Sequence, residues 1–469
     1  MNSPQLFSLA LLATLSPLKG AAADWPEFLG PNRNNTSPET GLRQSLPDDG
    51  VPILWQREVG TGYSAPSIQG TQLILHHRLG NEEIVESFDA ATGKPGWKTA
   101  YPSNFVDPFG YNNGPRCSPL LTEKTCITFG AEGVLLCLNR TDGAVLWRRD
   151  LSRDFDVPEA FFGVGSSPVL EDGRLIVILG GQPNSGVVAV DATNGKTLWA
   201  NGGEKTWTGV PMTGWPGERL VNWNPADPAF QKQASYCTPV LATIHGKRHA
   251  LCVTRQGLLS LDPATGECNF AYWFRARQDS SVNAMTPVVQ DDCILLSSAY
   301  FKNGSILLRV KPDGRGVEPV WSGLQLEMHW SRPVLWDGHL FALSGRNEPD
   351  ARFRCVQWED GKLQWDRYEG WPNAGHAKLR EGEKPPEVYG RGSLIFADGR
   401  LVALGESGQL GILEPSSKKL IEAGHWQVPG LQYPCWAGPV LANRRLYLRD
   451  EQRLICLDWA ATPSKQGAQ

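Results

Sequence analysis

The stretch "VVAVDATNGKTLW" (187–199) recurs along this chain, and its recurrence limits the fold more than any other feature. Valines run into an Asp, a Gly-containing turn reverses the chain, and a short strand ends in Trp. Related stretches are "IVESFDAATGKPGW" (84–97) and "VLLCLNRTDGAVLW" (134–147). Aligning on this unit gives eight copies. Upstream in each lies a second marker, a small or polar residue, Pro and an apolar pair. It reads "SAPSI" (64–68), "CSPLL" (117–121), "SSPVL" (166–170), "CTPVL" (237–241), "MTPVV" (285–289), "SRPVL" (331–335) and "AGPVL" (437–441). In "GSLIF" (392–396), Leu394 takes the place of Pro. Hairpin signals such as "EDGRLIVI" (171–178) and "WDGHLFAL" (336–343) sit between the two markers. Each unit therefore reads as four strands, with a period of about 45–50 residues. Four-stranded units at that spacing predict an all-β chain folded as an eight-bladed β-propeller.

The unit explains its own residues. Asp191 can hydrogen-bond turn amides, and Gly195 supplies a positive φ for the reversal. Trp199 can bury its apolar face against the next blade while its N–H finds a carbonyl. Proline cannot donate to a ladder, so the marker belongs on an edge, which places it on the innermost strand. The last copy stops at its third strand, "LICLDW" (454–459), while an orphan "ILWQREVG" (53–60) precedes the first marker. The N-terminal strand is expected to complete the last blade, with Trp55 in the Trp slot, and to close the ring. Two copies depart from the pattern: Phe270 holds the Trp slot in "TGECNF", and "SSKKLIE" lacks both Gly and Trp.

Outside the repeat, residues 1–23 hold an apolar stretch, "LFSLALLATLSPL", followed by three alanines, the form of a secretory signal peptide. No later run approaches the roughly 18 apolar residues a transmembrane helix requires. The expected organisation is a signal peptide (1–23), a leader segment (24–52), the propeller (53–459) and a disordered tail (460–469). Export to the periplasm or cell surface follows. The formal charge is −4, with Lys and Arg scattered, so the electrostatic footprint of a nucleic-acid binder is missing.

The units "DATNGKTLW" and "DAATGKPGW" resemble the repeat of quinoprotein-type propellers, the pyrroloquinoline quinone (PQQ)-like repeat family, over about residues 53–459. The leader "DWPEFLGPNRNN" (24–35), with "GSLIFADGRLVAL" and "PVLANRRLYLRDEQRLICLD", is similar to secreted bacterial proteins of the BamB type. The resemblance implies two opposed functions. BamB-like propellers are docking surfaces without a cofactor, whereas quinoprotein dehydrogenases hold PQQ and Ca²⁺ at the channel mouth and use an Asp as base. This sequence has no adjacent Cys pair and no C-x-x-C-H for haem attachment. No Asp or Glu can be matched to the Ca²⁺-ligand or base positions. The expectation is therefore a non-catalytic, monomeric binding or scaffold propeller without cofactor or metal. Its expected partner is a protein, peptide or glycan at the loop face. A PQQ-dependent dehydrogenase is the alternative.

Ten cysteines in an exported chain raise the question of disulfides. Cys137, Cys355 and Cys456 share one repeat slot with Ser87, Ala189 and Ser260, so this slot asks for a small side chain. Cys126 and Cys137 flank "GAEG" (130–133) and would form a bridge if they stood opposite each other. His245 and His249 have i, i+4 spacing but fall in a hairpin, where they read as solvated turn residues. Two long aromatic insertions, 201–233 with Trp207, Trp215 and Trp223, and 366–387 with Trp371, are candidate binding loops.

The candidate site comes from one column of the repeat. Three residues before each marker Pro stand Tyr63, Arg116, Gly165, Tyr236, Ala284, Trp330, Arg391 and Trp436, counting Leu394 as the Pro equivalent. Tyr63, Arg116, Tyr236, Trp330, Arg391 and Trp436 are the predicted ligand-binding residues at the channel mouth. Aromatic faces and guanidinium forks suit a flat or anionic ligand. The competing expectation is that they stack on one another and plug the axis. Replacing Arg116 and Arg391 together is expected to remove binding and leave the fold nearly intact.

Overall fold

The computed structural model describes residues 22–158, 161–181, 185–201, 235–276, 281–370 and 387–461. Its strands form eight sheets, each built on a four-stranded antiparallel blade and one carrying a fifth strand, arranged as an eight-bladed β-propeller with almost no helix. Blade 3 is typical: Val169–Glu171, Arg174–Gly181, Ser185–Asp191 and Thr197–Asn201 follow one another from axis to rim. The marker proline immediately precedes the short inner strand, as in Pro168 before Val169. The two middle strands are apolar on both faces because each blade is covered by a neighbour on either side. Val187, Val188, Ala189 and Val190 are all fully buried. The rim strand Thr197–Asn201 buries only one face, through Trp199.

Hairpins inside the blades follow the Asp-Gly signal. Asp172 and Gly173 have φ of 45° and 78°, and Asp337 and Gly338 have 47° and 69°. Two successive positive φ values define the turn whose twist matches paired strands.

The Asp–Gly–Trp unit is a clasp between blades. Trp147 Nε1 donates to the carbonyl of Ala192 at 3.0 Å, and Trp199 Nε1 to that of Pro263 at 3.1 Å. In each case the acceptor is the residue after the Asp-type position of the next copy. The turn glycine lies under the same indole: a Cβ on Gly195, at φ +71°, would stand 2.8 Å from Trp147 Cε3. Glycine thus serves the turn and leaves room for the neighbour's Trp. The small slot faces the same ring within its own blade, since Cys137 pairs with Trp147, Ala189 with Trp199 and Cys355 with Trp365.

The ring closes as the orphan strand implied. Ile53–Glu58 pairs antiparallel with Arg453–Asp458, placing Trp55 opposite Cys456. The last blade is therefore built from both ends of the repeat region.

The leader straps one end of the channel. Trp25 bridges to Ile68, Pro26 O accepts from Leu121 N, and Arg33 Nη2 reaches Leu170 O. Thr36–Ser37 then adds a fifth, parallel strand to the inner strand Ser393–Ala397 of blade 7. Further on, Leu46 N donates to Ala423 O, and Leu42 bridges to Ala460. The strand residues contacted by 25–37, Ile68, Leu121, Leu170, Phe396 and Ala397, all lie downstream of the marker position in their inner strands. The leader therefore covers the end of the axis opposite the column that precedes those strands. In blade 7 it also pairs the channel-side edge of the innermost strand.

Two expectations fail on register. Cys126 pairs with Leu138, and Cys137 with Ile127. This one-residue offset turns the two thiols to opposite faces, Cys126 toward blade 1 and Cys137 toward blade 3. All ten cysteines are free. His245 does sit in a turn, at φ 49°, but His249 is buried and its Nδ1 lies 2.7 Å from Ser260 Oγ. Phe270, smaller than the Trp of other copies, packs beside it with ring centroids 6.1 Å apart. Residues 202–234 and 371–386, which hold Trp207, Trp215, Trp223 and Trp371, lie outside the described residues, as do 1–21 and 462–469.

Candidate functional site at the channel mouth

The repeat column converges where the topology requires. A cavity of about 200 Å³ runs along the axis, and seven of the eight column residues line it, Arg391 being the exception. Those seven are half-buried, while most of their chain neighbours are buried. At the opposite end the cavity is lined by Trp25, Phe28, Leu29 and Asn35 of the leader.

At the mouth the aromatics form a continuous run. Tyr236 packs on Phe162 (5.5 Å between centroids), Phe162 on Tyr111 (5.7 Å), and Tyr111 on Trp436 (5.4 Å). Trp436 continues the run to Trp330 at 5.0 Å and to Tyr63 at 5.0 Å. Trp330 meets His329, whose Nε2 lies 3.0 Å from Tyr300 Oη. These separations and tilted planes are those of favourable aromatic pairs. Tyr111, Phe162, Tyr300 and His329 were missed by the sequence reading. Tyr111, Phe162 and His329 sit in connections between blades, and Tyr300 in the link between the second and third strands of blade 5, so only their aromatic character marks them.

The two column arginines are already neutralised. Arg391 is buried; its Nη2 lies 2.5 Å from Glu348 Oε1 and 2.9 Å from Glu406 Oε2. Its guanidinium also faces Trp330 and Trp436, at 5.0 and 5.4 Å from their centroids. Burial acts to depress its pKa, but Glu406 and Glu348 outweigh burial and raise it. Glu406 further accepts from Trp436 Nε1 at 3.1 Å, and Glu348 from Tyr433 Oη at 2.8 Å. Arg116 pairs with Asp107 at 2.8 Å and stands over the rings of Phe105 and Tyr63. Tyr63 Oη donates to Glu451 Oε1 at 3.1 Å. The sequence could not show these carboxylates, because none occupies a repeat column beside its partner.

His329 is held neutral. Burial first, then the charges of Arg391 and Arg346, bring its pKa well below the ordinary value of 6.5. The thiols are inert for the same reason: burial pushes Cys137 up to about 11, and Cys237 and Cys355 up to about 12. Among the described residues, no group of three or more His, Cys, Asp and Glu is placed to hold a metal ion. No helix among them is long and apolar enough to cross a membrane.

Fold and site together define an eight-bladed propeller with an aromatic-lined axis, strapped at one end by its own leader. Residues 81–301 match the PQQ-like repeat family model described as outer membrane protein assembly factor BamB. The resemblance read from the repeat units is thereby borne out. Among solved structures, BamB from Moraxella catarrhalis superposes with a TM-score of 0.54 at 13% identity, covering 89% of this chain and 99% of that one. A europium-containing methanol dehydrogenase gives 0.59 at 11% identity, covering 91% and 89%. The quinohemoprotein alcohol dehydrogenase from Comamonas testosteroni gives 0.50 at 11% identity, covering 95% and 82%. No curated protein matches the sequence. At these identities the likeness is one of fold, and the fold is shared by an assembly factor and by dehydrogenases.

PQQ is a planar tricarboxylate, so the mouth can be tested for it chemically. Both column arginines carry internal carboxylates, and Asp107, Glu348 and Glu406 add negative charge around them. This donor set does not fit a trianion.

Proposed function

We propose that this chain is an exported, non-catalytic binding propeller that docks a protein partner on its mouth face. The observation that carries the reading is the aromatic run, whose two column arginines, Arg116 and Arg391, are neutralised from within. Such a surface offers large, rigid contact area, the composition of interface anchors. It continues outward onto the connection between blades 1 and 2. There Val106 is 70% exposed and Phe109 48% exposed, and Phe109 packs on Phe162 at 5.3 Å. Solvent-facing apolar groups contiguous with an aromatic patch mark an interaction site. Export rests on the first 23 residues, and the BamB-type match is consistent with it.

The test is site-specific photo-crosslinking in cells with the full chain. A photoreactive residue at Phe109 should give a discrete adduct with a protein of the exported fraction. The same residue at Leu198, exposed on the rim, should not. Equal labelling from both positions, or none from Phe109, would contradict the reading.

A further inference from the structure

Below the mouth, the position immediately before the marker Pro forms a second ring around the axis. Seven blades carry Ala, Ser, Thr or Gly there, and blade 6 carries Arg332. The hydroxyls link the blades: Ser118 N donates to Ser167 Oγ, Ser167 N to Thr238 Oγ1, and Thr238 N to Thr286 Oγ1, each at 3.1 Å. Arg332 stands at the next place in this series and supplies no hydroxyl.

Its side chain lines the cavity and is 6% exposed. Nε donates to Pro287 O at 3.2 Å, and Nη1 to Asn34 O of the leader at 2.9 Å. A guanidinium has five N–H donors, and the others find no acceptor among the described residues. No carboxylate pairs with it, in contrast to Arg391 and Arg116. Arg449 offers the other comparison. It too lacks a carboxylate partner in hydrogen-bond contact, but its Nε, Nη1 and Nη2 all reach carbonyls, of Asp450, Ser64 and Gly60, and it lies outside the cavity lining. Arg449 is satisfied by the fold; Arg332 keeps donors toward the cavity. Beside it, the buried Ser331 Oγ has no hydrogen-bond partner, although Ser331 also lines the cavity. A buried, uncompensated cation is costly unless something completes it.

We propose that the axial cavity binds a small monocarboxylate, with its carboxylate on Arg332 and Ser331 and its apolar body against Phe28, Leu29, Ile395 and Val440. The ligand class follows from the lining. There is one unmatched positive charge, hence one negative charge on the ligand. The remaining walls are largely apolar, hence a carbon body and not an inorganic anion. A volume of about 200 Å³ is below the roughly 300–1,000 Å³ of sites for drug-sized ligands, hence a small molecule. Burial pulls the Arg332 guanidinium down to about 10, which leaves it charged at neutral pH. The site lies below the mouth in the same cavity but uses none of the residues proposed to dock the partner, so either can fail without the other.

The test is calorimetric titration of the full chain with benzoate and hexanoate, against benzamide, hexanamide and inorganic phosphate. At least one carboxylate should bind saturably at one site, tenfold or more tighter than its amide and than phosphate. Arg332→Met should lower that affinity at least tenfold, and Arg332→Lys should recover part of it. Because Arg332 also ties the leader to blade 5, thermal melting accompanies each variant, and Ser331→Ala, which breaks no tie, should weaken binding several-fold on an unchanged fold. Binding of the amide or phosphate as strong as that of the carboxylate, no saturable carboxylate binding, or undiminished affinity in Ser331→Ala and folded Arg332→Met would each overturn the proposal.

Discussion

The indole Nε1 of Trp55 donates to the carbonyl of Ala90 at 3.1 Å, across the seam where the N-terminal strand joins the last blade to the first. The ring is latched there by the clasp that also joins Trp147 to Ala192. Trp55→Ala should therefore cost about 3–5 kcal/mol, the loss expected for truncating a buried Trp. Trp55→Phe, which keeps most of the packing and loses the hydrogen bond, should cost distinctly less. Urea denaturation of both variants separates the two contributions. An unchanged midpoint in Trp55→Ala would remove the strand from the closure.

Two glycines with nearly the same backbone separate the turn from the clasp. Gly195 (φ +71°) lies under Trp147, whereas Gly173 (φ +78°) has open space where a Cβ would go. Gly173→Ala should cost about 1–2 kcal/mol, the left-handed penalty alone. Gly195→Ala should cost more, because the methyl must also displace the indole. Equal losses in the same denaturation assay would mean that the Trp does not depend on the glycine.

At the mouth, the expectation that Arg116 and Arg391 could be replaced without harm to the fold is revised. Arg391 lies between Glu348 and Glu406, and removing it strands two buried carboxylates. Arg391→Ala should destabilise by about 3–5 kcal/mol, as for a broken buried ion pair. Arg391→Ala combined with Glu348→Gln and Glu406→Gln should recover part of that loss. Absence of any recovery would show that the cost comes from packing on Trp330 and Trp436.

Acid should weaken the fold through its buried histidines. Burial lowers the pKa of His77, His249 and, furthest, His329 below 6.5. Folding therefore favours the neutral rings, while the unfolded chain takes up protons below about pH 6.5. Their contribution is intact above that pH and declines as the pH falls beneath it. The raised carboxyls of Glu27, Glu39 and Glu369 act in the opposite sense, so a variant must isolate the histidine part. His329→Gln should flatten the fall in denaturation midpoint between about pH 6.5 and 5. An unaltered slope would show that His329 is not held neutral.

What the sequence disclosed follows from what repeats. Strand order, Trp55 as the closing residue and the mouth column were legible because eight copies vote on each position. Even the need for a small residue at Cys137 was visible, and its reason, Trp147 directly opposite, came with the register. The failures are non-repeating pairings. Cys126 and Cys137 missed each other by one residue of register, which no composition signal marks. Glu348 and Glu406 reach Arg391 from 43 and 15 residues away along the chain. The leader's path under the channel depends on single contacts such as Asn34 with Arg332. Only Arg332 left a trace, as the one long side chain in a column of small ones.

The central claim is that the two column guanidiniums of the mouth, Arg116 and Arg391, are matched by the chain's own carboxylates, so that it serves as a docking surface and not as a cofactor site. Titration of the purified full chain with PQQ in the presence of Ca²⁺, followed by calorimetry and by reduction of an artificial dye with alcohols, tests this most directly. The account predicts no saturable binding and no dye reduction above that of free PQQ. A one-to-one complex that reduces the dye would contradict it and make the chain a quinoprotein dehydrogenase.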